Sequence, residues 1–171
     1  DGKVWHGLNS AAGEIGHMVI HYNGKACTCG RKGCLEAYAS ATAFSKMALS
    51  EVPHHPESAL YDAVKRTNRC NGKMIIDAVR QNDPTACRIF DEYCGYLADG
   101  ITNLINIFQP EVFIIGGGLS ASGDLLLNPL KERIYPNLYS RYSSTNTDIR
   151  MAELGNDAGI IGAARISLSR N

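Results

Sequence analysis

The sequence predicts an α/β fold, because helical stretches alternate with short apolar runs in its second half. Residues 84 to about 108 carry apolar side chains at steps of three and four, the spacing of a helix with one buried face. Val112–Ile115 is predicted to be a buried strand, Ile149–Glu153 a second strand, and 125–138 a helix between them. A chain of 171 residues can bury one sizeable core, so one domain is expected.

The residues before 35 are predicted to form little regular structure. Lys3–Gly7 has the pattern of a strand end or hairpin arm, and Met18–Tyr22 that of a short strand. Asn23-Gly24 is a turn signal that ends the second run. The polar, small-residue stretch 7–16 suits the edge of a site. A single helix is predicted over Leu35–Leu49.

Prolines and a capping residue set the boundaries in the middle of the chain. Pro53 and Pro56 interrupt regular structure, so residues 51–58 are predicted to be a loop. Asp83 precedes Pro84, which places an acidic N-cap before a proline in the first helical turn. Further helices are predicted over 59–66, 74–81 and 156–169.

Composition excludes several classes of protein. Lysine plus arginine equal aspartate plus glutamate, so the formal charge is zero, which argues against binding to nucleic acid or an anionic membrane. No apolar run is long enough to span a bilayer. Six cysteines without a paired framework suit a reducing compartment, so a cytoplasmic location is predicted.

The chemistry is concentrated between Gly13 and Glu36. Zinc in a structural site prefers thiolate and imidazole ligands in closed tetrahedral geometry. The candidate ligands, called the Cys3His cluster below, are His17, Cys27, Cys29 and Cys34. His21 is the alternative to His17 as the fourth ligand. Ordinary free cysteines or a disulfide are the other interpretations; a disulfide would leave one of the three thiols unpaired.

Two acids bracket this cluster. Glu14 lies three residues before His17, and Glu36 lies two residues after Cys34. Carboxylates held rigidly beside a metal-bound loop suit hydrogen bonds to sugar hydroxyls. A zinc-bound histidine keeps its second ring nitrogen for a ligand or a neighbouring group. From the spacing alone, solvated surface acids are an equally good interpretation.

A second candidate site is the Gly116-Gly117-Gly118 turn after the predicted strand Val112–Ile115. A strand, a glycine-rich turn and a helix together present backbone N–H groups to an anion or a ribose. A plain strand-to-helix connection is the alternative interpretation.

These residues resemble the signature of a known family. Gly13–His17 (GEIGH) followed by Cys27–Glu36 (CTCGRKGCLE) is similar to the motif of the ROK family. That family contains bacterial glucokinases, other hexose and N-acetylhexosamine kinases, and sugar-responsive repressors. The stretches 104–118 and 155–164 also resemble the family, and the resemblance to bacterial glucokinases is the nearest.

The resemblance implies a fold and a site. The fold would be an actin-like ATPase (ribonuclease H-like) domain with an inserted zinc-binding loop. Zn²⁺ would be bound by the Cys3His cluster, and sugar by Glu14, His17 and Glu36. Gly116, Gly117 and Gly118 would form the nucleotide-side turn.

The family pattern also implies parts that this sequence lacks. Its small N-terminal domain, its phosphate loops and its catalytic aspartate have no counterpart here, so residues 1–171 are expected to be the C-terminal domain of a longer kinase. The catalytic base is accordingly expected upstream of Asp1, and no residue of 1–171 is predicted to be catalytic.

The expected activity is phosphorylation of a hexose, first glucose, with ATP and Mg²⁺. The alternatives are an N-acetylhexosamine kinase, a sugar-responsive repressor with an additional helix-turn-helix, or a non-catalytic binding module. A homo-oligomer is expected from the family.

Overall fold

The computed structural model describes residues 4–168, which form an α/β arrangement as predicted. The strands are β1 (Val112–Ile115) and β2 (Asp148–Met151). The helices are α1 (Glu36–Ala39), α2 (Ala41–Glu51), α3 (Tyr61–Thr67), α4 (Gly72–Arg80), α5 (Pro84–Phe108), α6 (Asp124–Asn137) and α7 (Ala158–Leu168). Short 3-10 helices lie at Ile15–His17, Val52–His54, Gly118–Ser122 and Gly155–Asp157.

Three predictions reach beyond the described residues. Asp1, the residue upstream of which the catalytic base is expected, lies outside them. Lys3, the first residue of the predicted arm, and residue 169, the predicted end of the last helix, also lie outside them. The position of the base therefore stays a prediction.

Helix α5 is the centre of the core. It packs against α1, α2, α4 and α6. Its buried side chains recur at the predicted three- and four-residue steps, and include Ile89, Tyr93, Ile101 and Ile105. They meet Phe44 of α2, Ile75 of α4 and Leu130 of α6, among other fully buried side chains. None of the helices among residues 4–168 is long and apolar enough to cross a membrane.

The cap of α5 is formed as predicted. The Asp83 carboxylate accepts hydrogen bonds from the Ala86 amide at 2.8 Å and the Ala59 amide at 2.7 Å. It also accepts one from the Ser58 hydroxyl at 3.2 Å. Asp83 therefore ties the loop before α3 to the start of the central helix. Burial opposes ionisation of Asp83, but these donors outweigh it and hold the pKa of the carboxyl below its usual value.

Replacing Asp83 with alanine is expected to lower the free energy of unfolding by about 2 kcal/mol, because a helix cap and two further hydrogen bonds are lost. Urea unfolding followed by circular dichroism measures this change. Since the folded-state pKa is depressed, this contribution is present above the unfolded pKa, about 3.9, and is lost as pH falls through the lower folded value. The control Asp83→Asn keeps a hydrogen-bond acceptor without the charge. The difference in unfolding free energy between this variant and the wild type should therefore shrink at acidic pH. Equal stability of wild type and the alanine variant at neutral pH would contradict this account.

The sheet has two parallel strands in the described part of the chain, with Val112 opposite Asp148 and Ile115 opposite Met151. Helix α6 connects the strands and packs against β2. The prediction of a buried β1 was wrong. Phe113 and Ile115 pack against the core, but Ile114 is 63% exposed, because alternate side chains of a strand point to opposite faces and the core lies on one of them.

The first part of the chain differs from prediction in three places. The single helix expected over Leu35–Leu49 is broken at Ser40, whose side chain accepts a hydrogen bond from the Ala43 amide and caps α2. Met18–Tyr22 forms only one bridge, from Val19 to Cys34, because the Ile20 and His21 amides both donate to the Gly33 carbonyl instead of continuing a ladder. The arm predicted over 3–7 is absent from residues 4–7.

Candidate functional site

The three cysteines of the cluster lie on a compact double turn, residues 27–34. The Cys27 amide donates to the Arg31 carbonyl at 2.8 Å, and the Gly30 amide to the Cys27 carbonyl at 3.0 Å. Gly33 has φ +80, and a Cβ there would lie 1.8 Å from the His21 carbonyl oxygen. Glycine at 33 is therefore required both by the backbone conformation and by the close approach of the neighbouring chain.

Three contacts fasten this loop to its surroundings. The Leu35 amide donates to the Met18 carbonyl at 2.8 Å, which brings the end of the loop beside the segment after His17. The Arg31 guanidinium donates to the His17 carbonyl at 3.2 Å. The Tyr38 hydroxyl, on α1, accepts a hydrogen bond from the Lys25 amide at 2.6 Å. The loop and His17 are thus held against each other and against a buried tyrosine.

The fold brings the four predicted metal ligands together. One ligand atom from each of His17, Cys27, Cys29 and Cys34 lies within 4.8 Å of all the others. The Cys29 and Cys34 sulfurs are 3.7 Å apart, and His17 Nδ1 is 3.6 Å from the Cys27 sulfur. Cys34 is fully buried, whereas Cys29 is exposed.

These separations fit a tetrahedral zinc ion. With Zn–S bonds of about 2.3 Å, neighbouring sulfur ligands of a tetrahedral site lie about 3.8 Å apart. Four thiolate and imidazole donors are also the ligand set typical of a closed structural site, which has no open position for catalysis. The donor chemistry and the spacing are therefore both compatible with structural zinc.

The thiols differ in how readily they ionise. A hydrogen bond from the Cys29 backbone amide, with smaller contributions from neighbouring side chains, lowers the pKa of Cys27 to about 7. Burial raises the pKa of Cys34 to about 11, and the neighbouring thiols add to that increase. The thiolate that a metal requires is therefore already accessible at Cys27, the partly buried member nearest His17.

The two predicted sugar-contact acids lie on either side of the His17 ring. Glu36 Oε2 is 3.4 Å from Nδ1, and Glu14 Oε2 is 3.9 Å from Nε2. Glu36 begins α1, and its Oε2 is also 4.0 Å from the Cys27 sulfur. The Glu14 side chain is 70% exposed and that of Glu36 is 43% exposed, so both carboxylates are accessible to a ligand.

His21, the alternative fourth ligand, lies apart from the cluster, as do His55 and the other cysteines. His21 stacks on Tyr38, with ring centroids 5.9 Å apart, and its Nδ1 lies 3.2 Å from the Tyr22 carbonyl oxygen. His55 contacts Glu57 and Arg88 instead of a metal cluster. The three remaining cysteines belong to the core or its margin: Cys70, Cys87 and Cys94.

The glycine turn lies at the end of β1, as predicted, but a 3-10 helix over Gly118–Ser122 separates it from α6. Gly117 has φ +88. A cavity of about 250 Å³ lies beside Gly118 and Leu119, and residues of α4 form its other wall: Lys73, Ile76, Asp77 and Arg80. Sequence reasoning did not associate α4 with this turn, because the two are distant in the chain.

Comparison with known proteins identifies the family. Residues 1–170 match the ROK family model. The chain is 40% identical over 163 residues to the glucokinase of Halalkalibacterium halodurans, covering 95% of this chain and 49% of that protein.

Solved structures agree with this result. A ROK family glucokinase from Streptomyces griseus, in complex with glucose and AMPPNP, matches with a TM-score of 0.86 and 32% identity over 96% of this chain and 54% of that one. A ROK family transcriptional regulator, a homolog of the E. coli MLC protein, matches with a TM-score of 0.81 and 28% identity over 98% of this chain and 41% of that one. The chain thus spans about half the length of the glucokinases it matches. The family motif, the fold and these relatives agree, and the chain belongs to the ROK family.

Proposed function

We propose that this chain is the sugar- and zinc-binding part of a kinase that phosphorylates a hexose with ATP, and that glucose is its first substrate. The observation that carries the proposal is the pair of accessible carboxylates, Glu14 and Glu36, on either side of the His17 ring. The glucokinase relatives support the same chemistry. No residue of this chain is assigned as the catalytic base, which is proposed to lie upstream of Asp1.

The proposed metal has a structural role. Bound by the Cys3His cluster, zinc would hold the 27–34 loop and its closed ligand set would leave no position for water activation. His17 would use Nδ1, the nitrogen that faces the Cys27 sulfur, for the metal. This leaves Nε2, on the Glu14 side, to hydrogen-bond a sugar hydroxyl.

The carboxylates would orient the sugar. Carboxylate oxygens accept hydrogen bonds from hydroxyl groups, and a charged acceptor makes them stronger than a neutral one would. Glu36 is fixed at the start of α1, immediately after the buried Cys34-Leu35 pair. Its position would therefore depend directly on an intact loop.

The nucleotide is proposed to bind at Gly116, Gly117 and Gly118. The support is the cavity of about 250 Å³ that Gly118 and α4 line, where Lys73 and Arg80 lie beside Asp77 and are both ion-paired with it. Mg²⁺ would bridge the phosphates, and catalysis would consist mainly of positioning and charge stabilisation.

An ADP-release assay on the full-length protein with Mg-ATP tests the activity. The sugars are glucose, fructose, mannose, N-acetylglucosamine and N-acetylmannosamine, with a reaction lacking sugar as the control. Strong turnover on glucose is the expected result, and stronger turnover on an N-acetylhexosamine would reassign the substrate. If a zinc-loaded, folded protein released no ADP with any of the five sugars, kinase activity would be contradicted.

A sugar-responsive repressor is the second candidate, favoured by the similarity to the ROK family transcriptional regulator. A chain that binds sugar fits a kinase and a repressor equally, because both must bind sugar. Sugar binding without ADP release, together with sugar-dependent binding of the full-length protein to operator DNA, would establish this alternative.

A further inference from the structure

A cavity of about 270 Å³ lies between the cysteine loop and the start of α2. Its size is just below the roughly 300 Å³ at which small-molecule sites commonly begin. The polar and charged residues that line it come from both elements and from α1: Lys25, Thr28, Glu36, Ser40, Thr42 and Lys46. The remaining residues of the wall are Ala26, Cys27, Ala37 and Ala43.

Lys25 is positioned without being neutralised. Its ammonium lies 4.8 Å from the centre of the Tyr38 ring and 5.8 Å from that of Tyr96. Aromatic rings attract and orient a cation but leave its formal charge in place. Among the described residues, no carboxylate lies within ion-pair distance of Lys25. Lys25, a residue of the cavity lining, therefore keeps a positive charge that two tyrosine rings help to hold in place.

Lys46 adds a second positive charge from α2. It too lacks an ion pair with any residue in the described range 4–168. The single carboxylate in the lining is Glu36, whose Oε2 points toward His17 and Cys27. The hydroxyl groups of Thr28, Ser40 and Thr42 supply further hydrogen-bond partners. The cavity thus combines two cations for an anionic group with acceptors and donors for hydroxyls.

We propose that this cavity binds a phosphorylated hexose, with its phosphate on Lys25 and Lys46 and its hydroxyls toward Glu36 and the cavity hydroxyls. The inference rests on the proposed hexose kinase function, because the ligand is the class of product that the reaction yields. Glu36 borders both this cavity and the His17 site. A bound phosphosugar would therefore compete for Glu36 and weaken the binding of the unphosphorylated hexose.

Isothermal titration calorimetry of the zinc-loaded full-length protein tests this proposal. The probes are glucose 6-phosphate, inorganic phosphate and glucose. Lys46→Gln and Lys25→Gln should each weaken glucose 6-phosphate binding by about tenfold, the usual size of one lost charge-assisted hydrogen bond. Lys65→Gln is the matched control, because Lys65 also lies over a tyrosine ring, that of Tyr61, but is absent from the cavity lining. Zinc content and glucose affinity of Lys46→Gln should equal those of the wild type.

Each other outcome overturns the proposal in a defined way. Glucose 6-phosphate affinity that is unchanged in both variants would show that the ligand binds only at the catalytic site, or not to this protein at all. Inorganic phosphate binding as tightly as glucose 6-phosphate would overturn the sugar part. Failure of the proposed function is recognised separately: the wild type would then not phosphorylate glucose, whatever the two lysine variants do to phosphosugar affinity.

Discussion

Cys29→Ser is expected to lower zinc affinity by at least about 100-fold and hexose affinity by about tenfold or more. One of four ligands is lost, and binding of a structural zinc ion supplies a large part of the energy that holds such a loop together. Cys29 is exposed, so the substitution leaves the core intact. Zinc is measured by mass spectrometry of the dialysed protein, and hexose affinity by calorimetry.

Cys87→Ser is the control for this substitution. Cys87 is a partly buried cysteine of α5, outside the cluster, and its replacement should leave zinc content and hexose affinity unchanged. If the Cys29 variant lost its zinc and still bound hexose with full affinity, the metal would have no role in shaping the sugar site. If it retained zinc, the cluster would not be the metal site.

If the proposed kinase function is right, Glu36→Gln in the full-length protein is expected to reduce kcat/KM for the hexose by about 100-fold. The amide keeps the size of the side chain but replaces a charged acceptor, and hydrogen bonds to charged groups contribute about 1.5–3 kcal/mol. Zinc content should be retained, because the four ligands at His17, Cys27, Cys29 and Cys34 are untouched. Steady-state kinetics and zinc analysis on the same preparation separate the two effects.

Glu51→Gln provides the matched control. Glu51 is an exposed glutamate at the end of α2, and it lines neither the cavity beside Glu36 nor the cavity beside Gly118. It should leave kcat/KM unchanged. If kcat/KM were unchanged in the Glu36 variant as well, Glu36 would be an ordinary solvated surface acid. The assignment of the sugar site would then fail.

The sequence by itself determined the features that depend on local spacing. The three- and four-residue apolar steps predicted α5, and the Asp83-Pro84 pair predicted its start. The alternation of helical stretches with short apolar runs in the second half of the chain predicted the α/β class. The spacing of the His and Cys residues, with glycines between them, identified the candidate metal loop. These signals are short-range, so one stretch of chain carries each of them in full.

Only the tertiary structure decided the features that join distant segments. It placed His17 among the cysteines and His21 against Tyr38, a choice that the spacing left open. It also broke the 35–49 helix at Ser40 and exposed one face of β1. In each case the physical reason is the same: which way a side chain points, and which face is covered, depends on contacts with neighbours that lie far away in the sequence.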